Sequence, residues 1–223
     1  TALMYSFAQR DDTSVFDEPL YAHYLKVSGA KHPGREEVLN TLDNDGNRVV
    51  QQVILQKRKK LLFYKLMTHF LIGIDTQFLS DVINIIFIRN PKEIINSYNK
   101  VIPNPSMEDI GVKQQYELYL DLEKRGEIPI VLDSKYLLQN PGLALKKVCV
   151  LLEIPFDEKM LKWKKGERKE DGIWAKYWYK NIHNSTGFSP YTKQKITLTE
   201  SNAALAKACL PYYEFLTDKS IQL

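Results

Sequence analysis

Cysteine is nearly absent. The 223 residues hold two, Cys149 and Cys209, sixty positions apart, with no C-x-x-C pair and no Cys/His cluster. That excludes a disulfide-built scaffold and a cysteine-rich zinc site, and it points to a reducing, cytoplasmic setting. Long apolar runs are missing as well. The longest, such as residues 83–88, fall far short of the ~18 residues that a membrane-spanning helix needs, so no membrane partner is expected. A dense basic stripe is also lacking. Net charge is +4, and the one basic run, Lys57-Arg58-Lys59-Lys60, precedes an apolar strand. It reads as a solvated loop rather than a nucleic-acid patch. A modest positive balance suits a small anionic ligand.

What is present is an ordinary globular composition, 44% hydrophobic and 26% charged. A chain of this length buries a core without metal or disulfide staples. At ~100–200 residues per domain, a single domain over residues 1–223 is expected. Residues 2–8 place Leu3, Met4, Phe7 and Ala8 on one helical face, with Thr1 at the cap position. Residues 14–16 are a short strand candidate, followed by Asp17-Glu18-Pro19. Residues 26–48 are polar and glycine-bearing, and they read as a mobile insertion with one short helix.

The pattern then becomes regular. Leu61-Leu62-Phe63-Tyr64, residues 83–88 and Ile128-Pro129-Ile130-Val131-Leu132 are near-continuous apolar strands, typical of a parallel sheet covered on both faces. Asn90 caps a helix with Pro91 at its first position and Glu93 completing a capping box. Asn140-Pro141 repeats the cap-then-proline start, and residues 113–125 form a helix stopped by Gly126. Strand and helix alternate from 61 to about 154, which predicts an α/β fold of three α/β/α layers around a central parallel sheet. Residues 160–223, rich in Trp, Tyr and Lys, are expected to form a C-terminal cover.

In an open parallel sheet, ligands bind beyond the carboxyl ends of the strands. Three segments there carry chemistry. Arg89, ending a strand beside a capped helix start, makes an anion site with Ser97 two turns on; its bland alternative is an arginine paired with a surface carboxylate. His69, just past a central strand, can serve as a proton acceptor, with His23, His32 and His183 as rivals and His32 the weakest of them. Residues 167–180 interleave basic and aromatic side chains around Gly172, and can either cover a nucleotide or strap the core.

In this order the three segments resemble the cytosolic sulfotransferase superfamily. The arginine and the serine eight residues on resemble its 3′-phosphate motif, Thr68-His69 its post-strand Thr-His, and residues 168–174 its late Gly-x-Trp segment. Met4-Tyr5-Ser6-Phe7-Ala8-Gln9-Arg10, Asp17-Glu18-Pro19-Leu20-Tyr21-Ala22-His23-Tyr24 and Trp174-Ala175-Lys176-Tyr177-Trp178 are similar to a bacterial group of sulfotransferase-family proteins, over nearly all of residues 1–215. Some relatives carry branched-chain aminotransferase names, although nothing here resembles an aminotransferase fold or a pyridoxal-phosphate lysine context.

The resemblance implies a P-loop-type fold whose first strand and phosphosulfate-binding loop precede Thr1, with Thr1 as that loop's last hydroxyl. It implies sulfuryl transfer from 3′-phosphoadenylyl sulfate (PAPS) to a hydroxyl or amine of a small-molecule acceptor, with 3′,5′-adenosine bisphosphate (PAP) as product and no metal. Within it, His69 is the base and Lys65 offsets charge on the departing phosphate oxygen. Arg89 and Ser97 hold the 3′-phosphate, while Arg168, Lys169, Gly172 and Trp174 close over the nucleotide. Two positions depart from the pattern. The family lysine stands two residues before its histidine, where Met67 is, and the family Arg-Lys-Gly falls on Glu167-Arg168-Lys169. A phosphotransferase using ATP and magnesium, or a non-catalytic nucleotide-binding module, are the alternative readings.

Overall fold

A computed structural model describes residues 1–56, 61–192 and 195–222. The basic run 57–60 lies outside the described residues. In chain order the elements are α1 (Ala2–Phe7), β1 (Thr13–Asp17), α2 (Tyr21–Ser28), α3 (Arg35–Thr41), α4 (Gly46–Val49), β2 (Leu61–Lys65), β3 (Ile85–Ile88) and α5 (Pro91–Tyr98). There follow α6 (Met107–Ile110), α7 (Val112–Lys124), β4 (Ile130–Asp133), α8 (Ser134–Gln139), α9 (Pro141–Leu151), α10 (Ala175–Trp178), α11 (Lys180–His183) and α12 (Glu200–Asp218). The architecture is mixed α/β with parallel strand pairing, as the sequence pattern predicts.

The strands form two separate parallel pairs, β1 with β2 and β3 with β4. Each pair belongs to its own compact unit, the first made of residues 1–81 and 157–189, the second of 82–156 and 190–223. The C-terminal stretch 160–223 is therefore divided, its first part in one unit and its last in the other.

In the first unit, β1 and β2 run in register from Thr13 opposite Leu61 to Asp17 opposite Lys65. Apolar side chains of α1 cover the pair: Phe7 stacks on Phe63 with centroids 4.4 Å apart, and Met4, Tyr5 and Trp163 form a buried cluster. Thr1 occupies the α1 cap position, but its carbonyl rather than its side chain engages the helix, accepting from the Tyr5 N–H at 2.9 Å. Helix α2 ends at Gly29 in the left-handed region (φ 69°), which glycine adopts without strain.

Residues 26–48 hold the end of α2, all of α3 and the start of α4, instead of the one short helix expected. Asp45 caps α4 by accepting from the Arg48 N–H. Arg48 in turn grips Asp43 bidentately, Nε to Oδ2 at 2.5 Å and Nη2 to Oδ1 at 2.6 Å. Those bonds hold the Asp43 carboxyl down from its ordinary 3.8 to about 2. A depressed carboxyl contributes stability above its unfolded value and loses it as pH falls through the folded one. NMR titration should therefore place the Asp43 midpoint near 2 and return it towards 3.8 in Arg48→Ala; equal midpoints would refute the grip.

In the second unit, Ile86, Ile88, Val131, Tyr119 and Leu216 make one core cluster, and Ile95, Ile110, Val112, Ala206 and Cys209 another. Helix α12 contributes to both. Asn90 caps α5 through the Lys92 N–H and Asn140 caps α9 through the Leu143 N–H, each with proline at the first turn. The expected Glu93 capping box does not form. Arg89, between β3 and the Asn90 cap, takes the Glu93 carboxylate instead. No helix among the described residues is long and apolar enough to cross a membrane.

Candidate functional site

The parallel register of β1 and β2 brings Asp17 beside Lys65 at the carboxyl end of both strands. Glu18 follows in the left-handed region (φ 46°), an uncommon conformation for a residue with a side chain, and its N–H donates to the Lys65 carbonyl at 2.8 Å. The Lys65 ammonium donates to Asp17 Oδ1 at 3.1 Å, to Glu18 Oε1, and to the Tyr179 hydroxyl at 2.7 Å. Tyr179 donates onward to the Asp17 carboxylate at 2.8 Å, and the Gly172 N–H adds a further bond to Asp17 Oδ2 at 3.1 Å.

Charges this deep survive only when paired. Burial opposes the ammonium, but Glu18, Tyr179 and Asp17 hold Lys65 well above its ordinary pKa. Burial pushes the Glu18 carboxyl up, against the pull of Lys65, and burial likewise raises the Tyr179 phenol. Lys65 was expected to face a departing phosphate. Its three N–H donors instead all have protein acceptors, because the strand register delivers two carboxylates to it.

A second carboxylate gathers the late segment. Asp171 accepts from the Tyr5 hydroxyl at 2.8 Å, from the Arg168 N–H at 2.9 Å and from His183 Nε2 at 2.9 Å. Burial and the Asp171 carboxylate together raise the Tyr5 phenol. The Arg168 guanidinium lies over the Tyr5 ring, 5.2 Å from its centroid, in cation–π range. Lys169 is 90% exposed at its side chain.

Gly172 is required by the close approach of Trp174. A Cβ there would meet the indole at 2.1–2.3 Å, far inside van der Waals contact. The indole is 3% exposed, and its Nε1–H has no acceptor among the described residues. Its edge packs on Tyr21 at 5.0 Å, joining an aromatic cluster with Tyr24 and Phe70.

The four histidines have different surroundings. His69 sits in the single turn Thr68–Leu71 directly after β2, its ring edge-on to Tyr24 at 4.9 Å. His23 is structural: Nδ1 accepts from the Gly46 N–H at 3.2 Å, so Nε2 carries the proton and donates to the Ile72 carbonyl at 2.8 Å. His183 belongs to the Asp171 node. His32 shares a 2.9 Å hydrogen bond with the Tyr21 hydroxyl and lies against Tyr24 and Trp178. Its polar sequence neighbours gave no sign of that aromatic setting.

In the second unit, Arg89 and Ser97 are both exposed, the one directly after β3 and the other in the last turn of α5. Arg89 pairs through Nε with Glu93 Oε2 at 2.9 Å and its side chain is 44% exposed, so the surface-carboxylate alternative is realised for one of its edges. Asp133, also at a strand end, is buried as the α8 cap and accepts from the Tyr213 hydroxyl at 2.6 Å.

The family model described as "Sulfotransferase domain" matches residues 1–220. Two Arabidopsis thaliana proteins, branched-chain-amino-acid aminotransferase-like proteins 2 and 1, are 40% and 43% identical over 220 residues, 97% of this chain and 39% of each relative. The chain thus spans about two-fifths of the length of the curated relatives it matches. These are plant proteins, and they do not carry the bacterial grouping expected from the sequence. Among solved structures, a sulfotransferase domain from the curacin biosynthetic pathway aligns with a TM-score of 0.39 at 12% identity, over 85% of this chain and 77% of that one. A sulfotransferase domain from the Synechococcus PCC 7002 olefin synthase aligns with a TM-score of 0.46 at 16% identity, over 88% and 92%.

Proposed function

Because the chain belongs to the sulfotransferase domain family, we propose that it moves a sulfuryl group from PAPS to a hydroxyl or amine of a small-molecule acceptor. The family match across residues 1–220 is the observation that carries this reading. The donor set suits the cofactor chemically. In the second unit the exposed Arg89 and the Ser97 hydroxyl suit a phosphate; in the first unit, taken by itself, Arg168, Lys169 and the acceptor-less Trp174 N–H are donors.

PAPS, when bound, supplies the sulfuryl group and a phosphate leaving group. His69, one turn beyond β2, accepts the proton of the acceptor hydroxyl or amine at a ring nitrogen. Arg89 and Ser97 bind the 3′-phosphate, and the Thr1 hydroxyl serves the 5′-phosphosulfate. Arg168, Lys169, Gly172 and Trp174 orient the nucleotide and exclude water from it. Lys65 does not move a proton. With Asp17, Glu18 and Tyr179 it ties together the carboxyl ends of β1 and β2, just before His69, and Asp17 also accepts from the Gly172 N–H of the 168–174 segment.

Calorimetric titration and thermal shift of the full-length protein against PAP, ADP and ATP–magnesium test the donor. A ligand that binds only the folded state at ~100 Kd adds about 2.7 kcal/mol of stability. PAP should give that response and ADP should not. A response to ATP–magnesium alone would replace the reading with a phosphotransferase. In Arg89→Ala, PAP affinity should fall by about 1.5–3 kcal/mol, the range for a hydrogen bond to a charged group. Unchanged affinity would remove Arg89 from the 3′-phosphate.

A further inference from the structure

Asp171, like Asp17, draws its donors from three separate stretches of chain, but none of its donors is a lysine or arginine side chain. Tyr5 belongs to α1, Arg168 to the late segment and His183 to α11. A carboxylate that merely caps a helix accepts from N–H groups two or three residues ahead. Asp171 instead accepts from the N–H three residues behind it and from two side chains, and its own side chain is 6% exposed. The Tyr5 ring is thereby held at its hydroxyl end by Asp171, while its face lies 5.2 Å from the Arg168 guanidinium. One carboxylate so fixes both the backbone that carries Arg168 and the ring on which the guanidinium rests. Glu170 Oε2, 3.4 Å from Arg168 Nε, flanks the guanidinium on another side.

We propose that Asp171 is a positioning residue for Arg168, and that Asp171, Tyr5 and His183 together set the guanidinium for an anionic group of the bound nucleotide. This rests on the PAPS reading, because it needs Arg168 to contact the nucleotide. No proton moves and no bond is made at Asp171; its role is to remove the rotational freedom that Arg168 would otherwise lose on binding.

A double-mutant cycle distinguishes this from a purely structural role. PAP dissociation constants are measured by calorimetry on the full-length protein, on Arg168→Ala, Asp171→Asn and Tyr5→Phe, and on each of the latter two combined with Arg168→Ala. Arg168→Ala should weaken PAP binding by about tenfold or more. Asp171→Asn and Tyr5→Phe should each weaken it by about three- to tenfold in the parent background, but by less than about twofold once Arg168 is gone. Tyr5→Phe keeps the ring and removes only the hydroxyl, so it carries the test if Asp171→Asn does not fold. Equal effects in both backgrounds, or none in either, would overturn the inference while leaving the PAPS reading intact. A neutral Arg168→Ala would do the same. A parent protein that does not bind PAP would overturn both.

Discussion

Replacing Lys65 by Met should cost about 3–5 kcal/mol of stability at pH 7, read from urea unfolding. The ammonium is the counter-charge for two carboxylates whose side chains are 1% and 11% exposed, Asp17 and Glu18. A methionine of similar length fills the space but leaves both without a cation. The penalty should also depend on pH. Burial already raises Glu18, with Asp17 adding to the rise and Lys65 opposing it. Without Lys65 the folded-state value climbs further above the unfolded one. A raised carboxyl gives stability below its unfolded pKa and loses it as pH rises through the folded pKa. The deficit of Lys65→Met should therefore be largest near neutrality and shrink towards pH 5. Adding Glu18→Gln should recover part of it. A loss below about 1 kcal/mol, flat across this range, would mean that Lys65 is not the counter-charge to Asp17 and Glu18 that its distances indicate.

Gly172→Ala should be the most damaging single-methyl change in the late segment. The added carbon would sit 2.1 Å from Trp174 Cζ2 and 2.3 Å from Cε2 and Cη2. Neither neighbour yields cheaply. The indole is wedged edge-on against Tyr21, and the Gly172 backbone is tied at both ends, its N–H to Asp17 and its carbonyl accepting from the Ala175 N–H at 2.8 Å. Overpacking of this kind costs about 1–3 kcal/mol. The relief available is rotation of Trp174 out of its pocket, so tryptophan emission should shift to the red as the ring meets water. Trp174→Leu combined with Gly172→Ala should show favourable coupling, because the smaller side chain vacates the contested volume. An unshifted spectrum and an unchanged melting temperature would show that the segment has room the distances deny.

The elements that depend on local pattern were legible in the sequence. The four strands fall within two or three residues of their apolar runs, and the Asn-Pro starts at 90 and 140 cap helices as their chemistry requires. The site was legible only in part. Asp17 and Glu18 stand where a strand-end rule puts functional residues, but nothing nearby reveals that Tyr179, 162 positions away, donates to Asp17. Asp171 reaches Tyr5 across 166 positions and leaves no periodic trace. His32 was discounted for its polar neighbours, although its setting is decided by α2 side chains folding towards it. Glu93 fits a capping box in sequence, yet an arginine four residues earlier competes for the same carboxylate and wins through a charge-assisted bond.

The link from Asp17 to Tyr179 has a consequence for synthesis. At ~5–20 residues per second, about 8–30 s pass between the appearance of the carboxylate and that of the phenol that satisfies it. During that interval a nascent β1–β2 hydrogen-bonded pair would have Lys65 but no cover from residues 157–189. The apolar side chains that Trp163, Ile182 and Phe188 later pack with, Met4 and Tyr5 among them, are then available to chaperones. Translation stalled before residue 179 should leave this unit protease-sensitive, and passage beyond it should bring protection in one step.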